Sequence, residues 1–383
     1  MKTITSEFVS YGHPDKIADL ISDSILDSLL RQDPNTRAGI ETLIKDNIVV
    51  LGGEIKTTAN INYDETVRNV FNTVVFPKEH KLSPQDIKVI NLLGKQSPEI
   101  NKGVEKEDGV IGAGDQGMMY GFASNETDVY LPLGYYLAKK ICQYVASQQP
   151  TCPDAKAQVT VEYDDEGKAI VKHILVSTMH LNKLEVLRKE ITQAISENYI
   201  NIPQTLFDKY LRGGGYEVLV NPCGEWRTGG SVADCGVTGR KIVVDAYGGY
   251  CNVGGGAYSG KDASKVDRSA AYLARYIAKN IVAAGISNTA KVELSYAISV
   301  PQPTAINIEL DVNKDKQEKI TNWIKDNLDL TPNGIIKLFN GSYPRYFYTT
   351  LTGCYGQEVN GNEELEVLYP WEKTDLVDRL REI

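Results

Sequence analysis

The sequence of 383 residues lacks the features that define several common protein classes. No apolar run approaches the roughly 18 residues that a membrane-spanning helix needs. The first residues show no apolar core followed by a cleavage site, so we expect no signal peptide. The six cysteines never form C-x-x-C pairs, which argues against structural zinc and favours reduced thiols in a cytoplasmic protein. The net charge of −9 argues against a broad nucleic-acid-binding surface.

Motifs of covalent and zinc-dependent catalysis are also missing. The sequence contains no H-E-x-x-H motif, and no nucleophile–base pair is evident in it. Its 42% apolar and 24% charged residues are typical of a globular protein, and its length predicts two or three domains. The sequence is instead rich in glycine segments that carry lysine, arginine or carboxylates.

A helix followed by strands occurs three times along the chain. The helix-like runs begin near Pro14, Asp128 and Lys265. The strands predicted after them are Ile48–Leu51, Gln158–Tyr163, Ile170–Ser177, Val292–Val300 and Thr304–Leu310. Short connections at residues 164–167 and 301–303 predict antiparallel strand pairs. We therefore expect an α+β fold of three pseudo-repeated domains, with mostly antiparallel or mixed sheets that helices cover on one face.

Domain boundaries follow from this repeat. We predict an N-terminal domain at residues 1–98, a central domain at 112–229 and a C-terminal domain at 230–383. Residues 99–111 lie between the first two, and the composition of Pro98–Ile111, rich in Gly, Lys, Glu and Asp, predicts a mobile lid or linker.

The first and third helices carry clear local signals. Pro14 suits the first turn of a helix. The apolar side of this first helix is formed by Ile17, Leu20, Ile21 and Ile25. Asp19, Asp23 and Asp27 lie towards the other side, which we interpret as a solvated face. In the third helix, Ser264–Asp267 predicts a capping box and Gly285 predicts the end.

The segment Gly254–Asp262 (GGGAYSGKD) places four glycines and a lysine just before the third helix. Glycine turns let backbone N–H groups surround a phosphate, and a helix N-terminus favours negative charge. Gly255–Lys261 fits the G-x-x-x-x-G-K core of a P-loop, but Asp262 stands where that motif needs Ser or Thr, which disfavours an ordinary P-loop NTPase. A flexible turn that only starts the helix is the simpler alternative.

Three further motifs support a polyphosphate site. Gly112–Gly117 (GAGDQG) fits G-x-G-x-x-G, yet no helix is predicted to open there, so we disfavour a dinucleotide fold. Gly12–Lys16 (GHPDK) sets His, Asp and Lys at a helix start, where they suit a metal-bound anion or serve only as caps. Asp234–Lys241 (DCGVTGRK) ends in two cations before a predicted strand at Ile242–Asp245, which suits a phosphate clamp or mere solubility.

Taken together, these motifs resemble the S-adenosylmethionine synthetase (methionine adenosyltransferase) family. The resemblance extends over nearly the whole chain in order. The matching stretches are GHPDKI (12–17), GGE (52–54), GKQSP (94–98), GAGDQG (112–117), DAK (154–156), DCGVTGRK (234–241), GGGAYSGKDASKVDR (254–268) and PWEKTD (370–375). It implies that methionine sulfur attacks C5′ of ATP in line, and that the released triphosphate is hydrolysed to diphosphate and phosphate. A sulfide needs no general base, and a leaving triphosphate needs cations.

The resemblance also implies roles for individual residues. The implied catalytic residues are His13, Lys156, Arg240, Lys261 and Lys265. The implied ATP-binding residues are His13, Asp154, Lys156, Glu225, Trp226, Asp234, Arg240, Lys241, Ala257 and Lys261. The implied methionine-binding residues are Glu54, Gln96, Asp115, Asp234, Lys265 and Ile298, the last also near the adenosine. Asp15 and Asp267 would hold Mg²⁺, two ions per site, and Glu41 would hold K⁺. Residues from about 96 to 106 would form a lid.

The family builds each site between two subunits, which implies a homodimer, often assembled as a dimer of dimers. ATP and L-methionine are the implied partners, with no nucleic acid and no membrane. This chain departs from the family at Tyr11, usually acidic, at Glu225, commonly basic in bacterial relatives, and at Trp226, commonly Phe. The large indole face of Trp226 should preserve adenine stacking, whereas Glu225 removes a positive neighbour. A non-catalytic nucleotide-binding subunit and a kinase or ligase are the two alternative functions.

Overall fold

Three sheets, each packed against one long helix, form the protein. The computed structural model describes residues 2–95, 112–148 and 152–383. The strands are β1 (Lys2–Val9), β2 (Arg37–Lys45), β3 (Ile48–Lys56), β4 (Lys88–Asn91), β5 (Gly94–Lys95), β6 (Gly117–Ser124), β7 (Ala155–Tyr163), β8 (Ala169–Thr178), β9 (Glu217–Val220), β10 (Gly236–Val237), β11 (Thr289–Tyr296) and β12 (Ala305–Leu310).

The α-helices vary widely in length. They are α1 (Pro14–Gln32), α2 (Tyr63–Thr73), α3 (Leu133–Gln148), α4 (Leu184–Ser196), α5 (Gln204–Tyr210), α6 (Gly230–Ala233), α7 (Ile242–Asp245), α8 (Val266–Ala283), α9 (Lys314–Asn327), α10 (Pro332–Phe339), α11 (Tyr346–Thr352), α12 (Glu363–Leu368) and α13 (Val377–Arg381). Single 3₁₀ turns occur at Lys78–His80 and Pro370–Glu372. Among these residues no helix is long and apolar enough to cross a membrane.

Each sheet combines strands from two of the three predicted domains. The strand orders are β1-β7-β8-β9, β10-β2-β3-β4 with β5 also on β3, and β12-β11-β6. Most neighbours are antiparallel, whereas β8 with β9 and β3 with β4 and β5 are parallel. Residues 1–98 and 112–229 therefore share the first sheet, 1–98 and 230–383 the second, and 112–229 and 230–383 the third. The predicted boundaries themselves stay a prediction.

The three long helices bury their apolar sides on these sheets. Helix α1 packs on β2, α3 on β1 and β7, and α8 on β6 and β11. The apolar stripe of α8, from Val266 through Leu273 to Ile281, is fully buried. Gly121 lets β6 approach α8, because a Cβ there would lie 2.0 Å from the carbonyl carbon of Ala274. The expected α+β fold of three units is confirmed.

Several local predictions are confirmed, some with shifted bounds. Helices α1 and α8 begin where predicted, and Gly285 follows the end of α8 with a φ of +74°. The five predicted strands exist, with β3 extended to Lys56 and β11 ending at Tyr296. The helix expected near Asp128 begins at Leu133 instead, because Thr127 bonds both backbone groups of Leu131 and forms a turn first.

Two local predictions are wrong. Residues Ile242–Asp245 form helix α7 rather than a strand, because local bonds such as Asp245 N–H to Lys241 C=O form in place of a sheet partner. The capping box at residues 264–267 does not form. Lys265 is the N-cap without a side-chain cap bond, and the buried Ser264 hydroxyl has no partner among the described residues.

The interpretation of Asp19, Asp23 and Asp27 as a solvated face is also wrong. All three side chains are buried. The polar side of α1 is covered by C-terminal residues, including β10 and α11, which supply backbone N–H groups and cations to these carboxylates. A helix between two layers buries both of its sides, and its polar residues persist there because they are hydrogen-bonded.

Candidate active site

The N-terminus of α1 carries the first functional side chain, His13. His13 is the N-cap, and its Nδ1 accepts a hydrogen bond from the Asp15 N–H at 3.1 Å. Burial, together with the charges of Lys241 and Lys156, lowers the pKa of His13 to about 3. The imidazole is therefore neutral near pH 7, and because Nδ1 accepts, Nε2 carries the proton and is free to donate to a ligand.

Asp15 lies in the first turn of the same helix, α1. Donors from the loop at residues 236–241 surround its carboxylate. Its carboxylate accepts from the Lys241 ammonium and from the Val237 N–H at 3.0 Å, and Arg240 Nε lies 3.7 Å away. Burial raises the pKa of Asp15, but the bonds from Lys241 and Val237 outweigh burial and hold it below its usual value. Asp15 is therefore ionised inside a cationic turn, with Arg240 exposed above it.

Asp154 and the segment around Trp226 lie beside this turn. Asp154 accepts from the Gly230 N–H at 2.7 Å, while its Oδ1 has no partner among the described residues. Burial raises the pKa of Asp154 to about 7, although the nearby Lys156 opposes this shift. The Trp226 segment is fixed because its C=O accepts from the His180 N–H at 3.0 Å. The orphan oxygen of Asp154 is a ready acceptor for a ligand hydroxyl.

Glu225, a departure from the family pattern, is paired within its own loop. Its Oε1 lies 3.0 Å from the guanidinium of Arg227, and both side chains are largely exposed. The Trp226 indole N–H donates to the Thr228 C=O, which fixes the ring orientation. The negative charge that Glu225 introduces is thus compensated two residues away.

A second set of side chains surrounds the loop at residues 254–262. Lys261 Nζ lies 2.6 Å from Asp267 Oδ2, and Lys265 Nζ lies 3.3 Å from Asp262 Oδ2. Desolvation raises the pKa of Glu41, although Lys261 opposes it, and Glu54 adds to the rise. Glu41, Glu54 and Lys261 are therefore close in space, on neighbouring positions of β2, β3 and the loop.

The remaining predicted residues border these two sets. Gly114, next to Asp115, approaches Lys265, because a Cβ on that glycine would lie 3.3 Å from Lys265 Cδ. Ile298 pairs with Ala113 through an isolated β-bridge and is half exposed. Ala257 contacts Gly239, so it joins the two cationic loops. Gln96 and the predicted lid at 96–106 lie outside the described residues.

The two sets are linked by the loops at residues 236–241 and 254–262, which both lie on one edge of β2. The first set is His13, Asp15, Asp154, Lys156, Asp234, Arg240 and Lys241, and the second is Glu41, Glu54, Lys261, Lys265 and Asp267. Val237 pairs with Leu43, whereas Lys261 pairs with Gly39. At about 3.3 Å per strand residue, these two pairing positions lie roughly 13 Å apart along the edge, and Ala257 of one loop contacts Gly239 of the other.

Sequence reasoning missed the residues that hold these loops in place. Asp262, which occupies the Ser/Thr position of a P-loop, is buried and accepts from the Ala38 N–H at 2.8 Å, so it ties the loop to β2. Arg268 is buried against Asp23 at 2.6 Å and donates to the Lys261 C=O at 3.0 Å. The four-residue spacing of Asp15, Asp19, Asp23 and Asp27 was the available signal.

The carboxylates of both sets fit a hard divalent cation. Mg²⁺ takes oxygen ligands, commonly one or two carboxylates together with substrate phosphates. Asp15 and Asp267 each hold a lysine ammonium here, so each carboxylate is already oriented towards a cation. Among the described residues, no group of three or more His, Cys, Asp or Glu side chains could hold a metal by itself. Phosphate oxygens would have to complete such a site.

Three interleaved sheets with glycine-rich cationic loops at their edges define a three-domain α+β enzyme that acts on a phosphorylated small molecule. Family models of S-adenosylmethionine synthetase match the chain in all three parts: the N-terminal domain at residues 1–98, the central domain at 110–226 and the C-terminal domain at 228–373. The chain therefore belongs to the S-adenosylmethionine synthetase family.

Individual relatives agree with this assignment. The S-adenosylmethionine synthase of Borreliella afzelii (strain PKo) is 42% identical over 394 aligned positions, which cover 100% of this chain and 97% of that protein. A solved structure described as an unusual S-adenosylmethionine synthetase from Campylobacter jejuni superposes with a TM-score of 0.87 at 35% identity, covering 100% of this chain and 99% of the other. The family resemblance seen in the motifs is confirmed.

Proposed function

We propose that this chain forms S-adenosyl-L-methionine from ATP and L-methionine, in sites that two copies of the chain build together. Methionine sulfur attacks C5′ of ATP, the C5′–O bond breaks, and the triphosphate leaves with the bonding electrons. Hydrolysis of the triphosphate then gives diphosphate and phosphate. The observation that carries the proposal is the concentration of lysines and arginine from two loops around the carboxylates of Asp15 and Asp267.

Charge stabilisation is the main contribution of the first set. The departing oxygen gains negative charge as the C5′–O bond breaks, and donors arranged beforehand around that position lower the barrier. His13 donates from Nε2, because burial keeps its ring neutral and Asp15 N–H occupies Nδ1. Lys156, Arg240 and Lys241 neutralise the phosphates. Asp154 and Trp226 are assigned to the nucleoside, by hydrogen bonding and by stacking.

The second set supplies the methionine end of the site. Glu54, Asp115 and Lys265 can pair with the ammonium and carboxylate of an amino acid, and Ile298 offers half-exposed apolar surface. Gln96 is assigned the same role. Lys261 belongs with the phosphates, and Ala257 provides backbone groups. Holding sulfide and C5′ in line lowers the barrier without any proton transfer.

Two Mg²⁺ ions and one K⁺ complete the proposed site. Asp15 and Asp267 would hold the magnesium and Glu41 the potassium, as the carboxylate chemistry allows. Bound Mg²⁺ would neutralise charge on the triphosphate oxygens. In the free chain Lys241 forms an ion pair with Asp15, and Lys261 forms one with Asp267. When metal binds these carboxylates, the two lysines are already close enough to pair with phosphate oxygens instead.

The sheet that carries Glu41 and Glu54 has an outward face suited to a second copy. Leu43, Ile48, Ile90 and Leu92 are between 41% and 67% exposed on or beside this sheet. Such a cluster of exposed apolar side chains is typical of an interaction surface. A homodimer formed there would cover these residues and bring the second set of one copy towards the first set of the other; a dimer of such dimers is the larger assembly we propose.

The proposal places the enzyme in the cytoplasm. Cys142, Cys223, Cys235, Cys251 and Cys354 are unpaired thiols, as expected for a protein that folds in a reducing compartment.

Assays of the purified chain and of two single variants test the activity and the site assignment. The purified chain with ATP, methionine, Mg²⁺ and K⁺ should yield S-adenosylmethionine, diphosphate and phosphate. ATP binding without product would indicate a non-catalytic subunit, and ADP or AMP without the sulfonium would indicate a kinase or ligase. Lys265→Ala and Asp267→Asn should each lower kcat by orders of magnitude while the fold persists.

Subunit mixing tests the shared site. Lys241→Ala and Lys261→Ala should each be nearly inactive alone. After denaturation and refolding as a mixture they should recover about a quarter of wild-type activity, because half of the dimers are mixed and each mixed dimer has one intact site of two. The matched control mixes His13→Ala with Lys241→Ala, both in the first set, and should recover nothing. Recovery in neither mixture would place both sets in one subunit.

A further inference from the structure

Four aspartates follow one another at every fourth position of α1 and point into the same interior. Asp15, Asp19, Asp23 and Asp27 are each at most 2% exposed. In an α-helix, residues four apart lie one above another with a rise of about 6 Å per step. We call these four residues the aspartate row.

Each member of the row accepts backbone N–H groups from the C-terminal part of the chain. Asp15 accepts from Val237 at 3.0 Å and Asp19 from Gly239 at 2.9 Å. Asp23 accepts from Gly260 at 2.8 Å. Asp27 accepts from both Tyr346 and Phe347, at 3.0 and 2.9 Å. The row thus binds the backbones of three separate segments to a single rigid helix.

Two of these segments are the cationic loops, and the third is not. Gly239 immediately precedes Arg240 and Lys241, and Gly260 immediately precedes Lys261. Tyr346 and Phe347 begin α11, which contains no residue assigned to the site. Asp27 is therefore a natural control on the same helix, with the same chemistry and burial.

The middle members carry additional bonds that reach the loops. Asp23 pairs with Arg268, whose guanidinium also donates to the Lys261 C=O at 3.0 Å, and Asp23 accepts from the Thr350 hydroxyl at 2.6 Å. Asp19 accepts from Lys16 at 2.9 Å, and Lys16 also bonds Asp245 at 2.6 Å. The Gly260 backbone packs closely against β2, since a Cβ there would lie 2.0 Å from the Ile40 C=O oxygen.

We infer that Asp19 and Asp23 are positioning residues, which fix the two cationic loops on α1, so that Lys241 and Arg240 on one loop and Lys261 on the other are each held in place for the triphosphate that their own loop faces. The inference rests on the proposed function. Neither aspartate touches substrate. Each fixes the backbone just before a cation, and a displacement of about 1 Å at such a position can lower the rate on the order of 100-fold.

Asp19→Ala and Asp27→Ala are the decisive pair. Lys16 keeps Asp245 when Asp19 is removed, so neither change leaves a buried lysine unpaired. Asp19→Ala should lower kcat/KM for ATP by about 10- to 100-fold and leave KM for methionine nearly unchanged. Asp27→Ala loses two backbone bonds and should reduce the melting temperature at least as much, with kcat/KM within about threefold of wild type. Equal kinetic losses in both, or none in either, would overturn the inference.

Conservative replacement and a double-mutant cycle separate positioning from simple destabilisation. Asp19→Asn keeps an acceptor for the Gly239 N–H and should recover most of the ATP kinetics. In a Lys241→Ala background, Asp19→Ala should cost much less than it does alone, because it acts through that loop. If Lys241→Ala itself leaves ATP kinetics unchanged, the site assignment fails. If Lys241→Ala does change the ATP kinetics, but Asp19→Ala has no more kinetic effect than Asp27→Ala, the site assignment stands and only the positioning role fails.

Hydrogen exchange tests the row in the unaltered enzyme. The amides of Gly239 and Gly260 should exchange far more slowly than that of the exposed Gly255, because each is bonded to a buried carboxylate. Asp23→Asn, if folded, should speed exchange at Gly260 and leave Gly239 protected. Exchange at Gly239 and Gly260 as fast as at Gly255 in the wild type would contradict the arrangement.

Discussion

Replacing Gly256 with alanine should disable the second set of site residues without unfolding the protein. A Cβ at Gly256 would lie 2.1 Å from Cγ of Asp267 and 2.4 Å from both carboxylate oxygens. No backbone strain is involved, since Gly256 is absent from the glycines with positive φ. The conflict is therefore with one side chain, and the alanine must displace the carboxylate that Lys261 holds at 2.6 Å.

The expected effects differ in size for stability and for activity. Overpacking of this kind costs about 1–3 kcal/mol, and a forced rotamer of Asp267 accounts for about 0.5–1.5 kcal/mol of it. That loss should lower the melting temperature by only a few degrees in a protein of this size. Activity should fall on the order of 100-fold, because the carboxylate assigned to Mg²⁺ moves by an ångström or more, and the Mg²⁺ concentration for half-maximal rate should rise.

Gly255→Ala is the matched control. It lies in the same glycine run and also lacks a positive φ, and apart from its own chain neighbours no atom in the part of the chain that the structure describes lies within 4 Å of its Cβ position. Formation of S-adenosylmethionine should be measured for both variants at saturating ATP and methionine while Mg²⁺ is varied. If Gly256→Ala behaves like Gly255→Ala, the steric reasoning is refuted. In an Asp267→Ala background the conflict disappears, so Gly256→Ala should then have little further effect.

Three other measurements follow from the structure. Burial raises the pKa of Glu372, but Arg275 and Lys279 outweigh it and lower the pKa to about 2; about 3 kcal/mol of stability is therefore present above pH 4.5 and lost as the pH falls towards 2. Urea unfolding should show that Glu372→Gln is less stable at pH 7 and that its stability falls less steeply in this acid range, and an unchanged slope would contradict this. The His13 ring should not titrate between pH 5 and 8 in histidine NMR and should show the Nε2–H tautomer, whereas a midpoint near 6.5 would mean that the ring is not buried as described. Ile90→Lys should yield monomers and low activity in sedimentation and rate assays, whereas Ile170→Lys, at a similarly exposed position on the first sheet, should not; dimers of normal activity from Ile90→Lys would exclude that sheet face as the interface.

Periodicity and glycine signals were sufficient for the elements that depend on local sequence. Helix α8 shows this well, since the apolar stripe from Val266 to Ile281 is buried as the spacing predicts. The strand predicted at Ile242–Asp245 failed because an apolar, β-branched run of only three residues, Ile242–Val244, fits a strand or a helical turn equally, and only a neighbouring strand decides between them. Among the strands of residues 2–95, 112–148 and 152–383, none pairs with it.

The site was harder to predict than the fold, because its loops are set by contacts distant in sequence. The motifs identified cations at residues 240–241 and 261, but nothing local shows that both loops lie on the edge of β2. The spacing of the aspartate row was visible as a polar stripe on α1. A polar stripe normally faces water, and the alternative of a buried stripe that binds amides requires knowledge of what covers the helix.

The buried aspartate row is consistent with a reaction that needs no general base. The reaction we propose transfers no proton from its nucleophile, so the chemistry depends on where fixed charges lie when the triphosphate departs. Cations on glycine-rich loops are mobile by composition, and a mobile charge must reorganise during the reaction, which forfeits much of its stabilising effect. Carboxylates on a rigid helix remove that freedom by binding the loop amides at Gly239 and Gly260. Asp19 and Asp23 therefore act on the reaction through the position of the cations that follow these amides, although neither aspartate reaches the substrate.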